Sequence, residues 1–254
     1  MVEIKNLCAG YDKKEVLHNI SIAFEPGKVT AIIGPNGCGK STLLKTAIGI
    51  NKKMSGEILI DGVESEKLSA RQLAQKAAYL PQNKAVPDIT VLRMVLHGRF
   101  AYLNYPRRYR QQDIEAAKNA LKWVGLGEFE QYSMTHLSGG MQQNAYIAMA
   151  LAQDTPTIFM DEPTAYLDIA NRIHTMQLAK RLSDEGKAVV MVLHELDMAV
   201  EYADKIAVMK DGEIIKYGTP EEIFESKAID KAFNVSLKRI NFDGKWIYHC
   251  QNGF

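Results

Sequence analysis

Gly34-Pro-Asn-Gly-Cys-Gly-Lys-Ser-Thr42 is the stretch on which the reading of this chain turns. It follows the β-rich run Val-Thr-Ala-Ile-Ile at 29–33 and precedes a run with helical spacing at 41–48. A G-x-x-x-x-G-K-[ST] pattern between a strand and a helix is a phosphate-binding loop. Its glycines let backbone N–H groups turn inward with no Cβ in the way. The helix start adds the positive end of its dipole. Gly34, Pro35, Asn36, Gly37, Cys38, Gly39, Lys40, Ser41 and Thr42 are therefore expected to cradle a nucleotide. Lys40 would reach the β- and γ-phosphates, and the Ser41 hydroxyl would ligate Mg²⁺. A glycine turn that binds nothing is the bland alternative, and the strand–loop–helix context weighs against it.

Outward from the loop, strands are expected at 2–7, 16–24 and 77–80, with a turn at Pro26-Gly27 and a hairpin-like piece at 56–62. From about 91 to 154 helical periodicity takes over, most clearly at 113–124 and 141–152. Strands return at 157–160, 188–193 and 206–209, with a helix at 169–184 between the first two. Strands alternating with helices predict a mostly parallel α/β sheet, here interrupted by an inserted helical segment. The tail beyond about 226 predicts a short helix and a hairpin around Asp243-Gly244.

Three further positions gain force from the loop. Asp161-Glu162-Pro163 ends an apolar strand, where Asp161 suits a Mg²⁺ site and Glu162 can polarise an attacking water as general base. An isolated Asp-Glu-Pro would fit a surface turn equally well; its company with Lys40 gives it weight. His194 ends the strand at 188–193, where open α/β sheets place their chemistry, although a lone histidine there is more often structural. Gln82, in Tyr79-Leu-Pro-Gln82, sits where the β-rich part gives way to the helices. Its amide could ligate Mg²⁺ or orient water; taken alone it is a loop glutamine. A second glycine motif, Leu137-Ser138-Gly139-Gly140, opens the helix at 141–152 and offers another anion-binding helix start. One γ-phosphate has little use for two cradles in one chain. A symmetric pair of chains, each closing over the other's nucleotide, resolves this.

In order along the chain, these motifs resemble the ATP-binding subunits of ABC transporters, over almost the whole length. The resemblance implies a P-loop NTPase core (ABC ATPase) with a mostly parallel sheet, an N-terminal antiparallel β subdomain and an inserted helical subdomain. It divides the chain into a nucleotide-binding core at 1–83 and 155–225, a helical signature subdomain at 84–154 and a short C-terminal extension at 226–254. It implies ATP and Mg²⁺ between two head-to-tail copies. Lys40, Ser41, Thr42, Gln82, Asp161, Glu162 and His194 come from one copy, with Ser41, Gln82 and Asp161 around the metal. Ser138, Gly139 and Gly140 come from the other. It adds Tyr11 as an adenine-stacking ring and Asp168, in Ala165-Tyr-Leu-Asp168, as a loop residue of the interface. The wording of Asp161-Glu-Pro-Thr-Ala-Tyr-Leu-Asp-Ile-Ala170 is similar to subunits for iron–siderophore, haem and cobalamin uptake. Ferric-siderophore import is the expectation, with transmembrane permease subunits as direct partners and an extracytoplasmic substrate-binding protein as an indirect one. A soluble iron–sulfur assembly ATPase is the alternative. Met141 and Asn144 depart from the usual polar and basic residues of the signature helix.

Composition agrees with a globular protein that buries a substantial core. Of 254 residues 46% are hydrophobic and 24% charged, and the formal net charge is +1, too small to hold a nucleic acid by its field. Three cysteines, Cys8, Cys38 and Cys250, give no disulfide framework. No basic flank precedes an apolar run at the N-terminus, and no apolar stretch nears the ~20 residues of a spanning helix. The expectation is a peripheral protein on the cytoplasmic face of the cell membrane. Arg99-Phe-Ala-Tyr-Leu-Asn-Tyr-Pro-Arg-Arg-Tyr-Arg110 interleaves positive charge with rings. It reads as a permease contact or a solvated, partly packed helix–loop, with single-stranded nucleic acid last.

Overall fold

In the computed structural model, which describes residues 1–12, 14–82, 84–242 and 245–252, the chain opens with two antiparallel strands. These are β1 (Val2–Tyr11) and β2 (Lys14–Phe24). In β1 the buried positions run Val2, Ile4, then Leu7, Ala9, so the apolar period of two slips by one residue. A register shift between Ile4 and Leu7, with Asn6 at φ 48, restores the face, as a bulge does.

The next strand, β3 (Val29–Ile33), is buried at all five positions and leads into the phosphate loop and α1 (Lys40–Ala47). Gly39 caps α1 at φ 104, and a Cβ there would lie 2.7 Å from Leu17 Cδ2, so only glycine fits. β4 (Lys53–Ile60) returns to pair with β1 and turns through Asp61-Gly62 into the two-residue β5 (Val63–Glu64). The expected 56–62 hairpin is thus mainly a third strand of the first sheet. α2 (Ala70–Lys76), opened by a Ser69–Gln72 capping box, runs straight into β6 (Ala77–Leu80).

The helical stretch then comprises α3 (Val91–Leu96), α4 (Gln111–Trp123) and α5 (Gly139–Ala152), joined by 3-10 turns. β7 (Thr157–Asp161), α6 (Ile169–Asp184), β8 (Ala188–Val192), α7 (Leu196–Tyr202) and β9 (Lys205–Lys210) restore the alternation. β10 (Glu213–Gly218), α8 (Pro220–Ser226) and α9 (Ala228–Phe233) follow, and β11 (Val235–Phe242) pairs with β12 (Lys245–Asn252). The turn expected at Asp243-Gly244 lies outside the described residues, but the strands on either side of it form the expected antiparallel pair.

The main sheet has the order β10-β9-β3-β8-β7-β6, parallel except for β10. The other large sheet, β2-β1-β4-β5, is antiparallel. Both faces of the parallel sheet are covered, which is why its strands read as unbroken apolar runs. Val29, Ala31, Ile33, Val189 and Met191 face one core with α6 and α7, continuous with the apolar side of the three insert helices. Ile32, Val190, Val192 and Phe159 face the second core with β1, β2 and α1, where Phe159 meets Phe24 edge to face at 5.5 Å.

The insert is fastened by a buried ion pair. Arg99 Nε lies 3.1 Å from Asp113 Oδ1, and Arg99 also donates to the Ala152 carbonyl at 2.9 Å. Arg99 thus belongs to the packed part of the helix–loop expected there, because α4 carries its counter-ion inward. Removing one partner strands the other charge, so Asp113→Ala should lower unfolding free energy by about 3–5 kcal/mol. Denaturant titration checks this; a loss below about 1 kcal/mol would mean a solvated pair.

Candidate functional site

Four parallel strands deliver their carboxyl ends to one edge of the sheet, in the order β3, β8, β7, β6. Beyond those ends lie the phosphate loop, His194, Asp161 with Glu162, and Gln82. This edge, with a crossover on each side, is where open α/β sheets bind ligands. A cavity of about 430 Å³ sits there. Asn36, Gly37, Gly39, Lys40, Ser41 and Thr42 line it from the loop, with Gln82, Glu162 and His194 from the strand ends and Val16 from β2.

Lys40 is 6% exposed, and its Nζ donates to the carbonyls of Gly34 at 2.7 Å and Pro35 at 2.9 Å. Gly34 and Pro35 thus face the lysine rather than the cavity. Cys38 turns inward among the apolar side chains, and burial raises its thiol pKa against the opposing charge of Lys40. Such a thiol is poorly reactive.

Asp161, 2% exposed, is gripped at both oxygens: Ser41 Oγ donates to Oδ1 at 2.9 Å and Tyr79 Oη to Oδ2 at 3.0 Å. Burial, then the Asp161 charge, push the Tyr79 phenol well above its ordinary pKa, so it stays a donor. Glu162 leaves the strand with φ 50, a conformation that costs a non-glycine residue roughly 1–3 kcal/mol and marks a constrained position. The kink turns its carboxylate to the cavity. There His194 Nε2 lies 2.6 Å from Oε1, and Gln82 Nε2 donates to Oε2.

Tyr11 lies at the rim, 47% exposed, its hydroxyl 3.4 Å from Thr42 Oγ1 and accepting from Asn51 Nδ2 at 2.9 Å. Ser138, Gly139, Gly140 and Asp168 do not line the cavity. Ser138 caps α5, accepting from Met141 N at 3.4 Å, and Asp168 caps α6, accepting from Asn171 N at 2.8 Å. The two caps are neighbours, since the Asn171 side chain lies against Gly140. Beside them Tyr166 and Ile169 are 94% and 73% exposed.

Sequence reasoning missed Tyr79 and Val16. Tyr79 had a faint signal, a lone polar-tipped ring in an apolar strand. Val16 had none.

The family model described as ABC transporter matches residues 17–165. The petrobactin import ATP-binding protein of Bacillus subtilis is 39% identical over 249 residues, covering 97% of this chain and 98% of that protein. The ferric enterobactin transport ATP-binding protein of Escherichia coli is 36% identical over 233 residues, covering 91% and 86%. Among solved structures, a metal-chelate type ABC transporter in an inward-facing conformation superposes with a TM-score of 0.85 at 27% identity, covering 98% of this chain and 96% of that one. A dimeric ATP-binding cassette bound to ADP and Pi matches with a TM-score of 0.75 at 31% identity, covering 87% and 99%.

Proposed function

The chain belongs to the ABC transporter family as an ATP-binding, ATP-hydrolysing subunit, and from that premise we propose that it energises uptake of a ferric siderophore. It works as a pair of copies beneath permease subunits on the cytoplasmic face of the membrane, with an extracytoplasmic binding protein delivering the cargo. Among the described residues no helix is long and apolar enough to cross a membrane, which fits a peripheral role. The relatives that transport petrobactin and enterobactin support the iron-chelate reading over the iron–sulfur assembly alternative.

The observation that carries the hydrolytic assignment is the doubly held Glu162 carboxylate, one residue past Asp161. In our reading Lys40 leaves the Gly34 and Pro35 carbonyls for the β- and γ-phosphates of ATP, and loop N–H groups hold the phosphate oxygens. Glu162 takes the proton of a water whose oxygen bonds to the γ-phosphorus as the β–γ bridging bond breaks, releasing ADP and phosphate. His194 orients that carboxylate and reaches the γ-phosphate. Tyr11 stacks on the adenine, with Val16 beneath.

Ser41 Oγ is bonded to Asp161 and Gln82 lines the same cavity as Ser41, so the three would offer Mg²⁺ hard oxygen donors. Among the described residues no group of three His, Cys, Asp or Glu forms a complete metal cage, in keeping with an ion held partly by phosphates. When bound, Mg²⁺ neutralises charge on the β- and γ-oxygens.

Gly139 supports the two-copy arrangement. It sits in the first turn of α5 without a positive φ, and an added Cβ would meet nothing within 4 Å. Nothing inside one chain requires glycine there, and glycine in a helix costs about 0.5–1 kcal/mol relative to alanine. A backbone approached from outside accounts for it, by a nucleotide on a second copy.

For the permease, a groove of about 480 Å³ between α2 and the turn after α3 offers Arg71, His97, Phe100, Leu103 and Arg107. Phe100 is 48% exposed with the Arg107 guanidinium 4.4 Å from its ring. Phe100→Asp should reduce co-purified permease by about ten-fold, as loss of an aromatic anchor does. Undiminished co-purification would move the contact elsewhere.

The cargo is tested by uptake of labelled iron chelates in cells deleted for this chain. Complementation should restore ferric-siderophore uptake and leave manganese uptake unchanged. Restored manganese uptake instead would favour the activity of the Bacillus subtilis manganese-transport relative, 37% identical over 239 residues.

A further inference from the structure

Gln82 and the pair Lys84 and Ala85 are each fastened to the rest of the chain, and only the first fastening takes part in the chemistry above. Gln82 holds Glu162. Two residues on, Lys84 turns inward: its Nζ donates to Gln143 Oε1 on α5 and stands 5.1 Å from the centroid of the Tyr146 ring. Tyr146 in turn donates its hydroxyl to the Ala85 carbonyl. Gln143 donates its Nε2 to the Pro163 carbonyl at 2.7 Å, directly after Glu162. The contacts close a circuit: Glu162, Gln82, Lys84, Gln143, Pro163 and back to Glu162. Gln143 and Tyr146 are 9% and 6% exposed, so the Lys84 side of the circuit is packed inside the molecule, while Gln82 is exposed at the cavity.

Among the described residues no carboxylate pairs with Lys84, whose ammonium is held by an amide oxygen and a ring face. Burying an ammonium without a counter-ion opposes folding, so stability does not account for it. What the contact does is geometric. Gln143 stands one turn from the start of α5, where Ser138, Gly139 and Gly140 lie.

We propose that Lys84 is a positioning residue for ATP hydrolysis, which through Gln143 fixes the start of α5 relative to the peptide carrying Glu162. The proposal rests on the reading in which that turn closes over a second copy's nucleotide. Lys84 then ties the chain's own base to the cradle it presents to its partner, so the two faces of the composite arrangement move as one.

Lys84→Met keeps the stem over Tyr146 and removes the donor. In the full chain it should lower kcat about ten-fold while nucleotide affinity of the single copy changes less than about two-fold. Lys84→Arg should recover most of the loss, since a guanidinium can donate to the same amide oxygen and stack on the same ring. Gln143→Leu should cost at least as much as Lys84→Met, because it also cuts the bond to the Pro163 carbonyl, and the double variant should be no worse than Gln143→Leu alone, in which the Lys84 contact is already gone. An unchanged kcat in Lys84→Met, or losses that multiply in the double variant, would overturn the proposal. In a Glu162→Gln background the ATP-dependent pair should form and should weaken when Lys84→Met is added. Equal pairing with and without Lys84→Met removes the role of Lys84. No pairing in Glu162→Gln alone removes the two-copy reading itself.

Discussion

Glu162→Gln is expected to lower ATP turnover by about a thousand-fold while ATP still binds, so that a nucleotide-bound pair of chains accumulates. The amide keeps the shape of the side chain and can still meet the neighbouring groups. It cannot take a proton from water. Among the described residues no other group at the cavity is placed to replace it: Asp161 has both oxygens engaged by Ser41 and Tyr79, and His194 is itself directed at Glu162. The magnitude separates two accounts. If Glu162 merely shaped the site, an isosteric amide would cost a few-fold; loss of the base costs orders of magnitude. Turnover within ten-fold of the unaltered chain would remove Glu162 from the mechanism. Gel filtration with and without ATP supplies the second readout.

The second large effect is expected at a position that touches no part of its own chain's cavity. Ser138→Arg should lower turnover by about a hundred-fold and leave ATP affinity of the single copy within about two-fold. Ser138 is exposed, so the longer side chain costs the fold little. Among the described residues its hydroxyl makes one bond, a 3.4 Å cap on α5 worth about 1 kcal/mol. A stability effect of that size cannot abolish hydrolysis in a folded chain. A steric block between two copies can. Normal turnover in Ser138→Arg would place the whole active site within one chain.

These expectations show which parts of the molecule were legible in its sequence. The strand–loop–helix frame around 34–39 was legible, because spacing, flanking strand and flanking helix are all local. So was α6, whose observed span, Ile169–Asp184, coincides with the expected one and begins at the Asp168 cap. The core strands were legible because burial on both faces leaves an unbroken apolar run. α8 escaped, although Thr219-Pro-Glu-Glu222 spells a capping box with proline at the first turn. What spacing cannot reveal is which strand lies beside which. Tyr79 reaches Asp161 across 82 residues of chain only because β6 pairs with β7 in parallel register. Which part of the 99–110 stretch is packed was hidden for the same reason, since Asp113, the partner of Arg99, becomes visible only once α4 is folded against it. The Lys84 contact with Gln143 likewise spans 59 residues and belongs to no local pattern.

The central claim is that two copies of this chain share each nucleotide, and it is tested most directly by a structure of the Glu162→Gln chain with Mg²⁺ and ATP. The account predicts a head-to-tail pair, with the γ-phosphate between Lys40 of one copy and the Ser138-Gly139-Gly140 turn of the other. ATP enclosed by one chain alone, with full turnover by a monomer in solution, would contradict it.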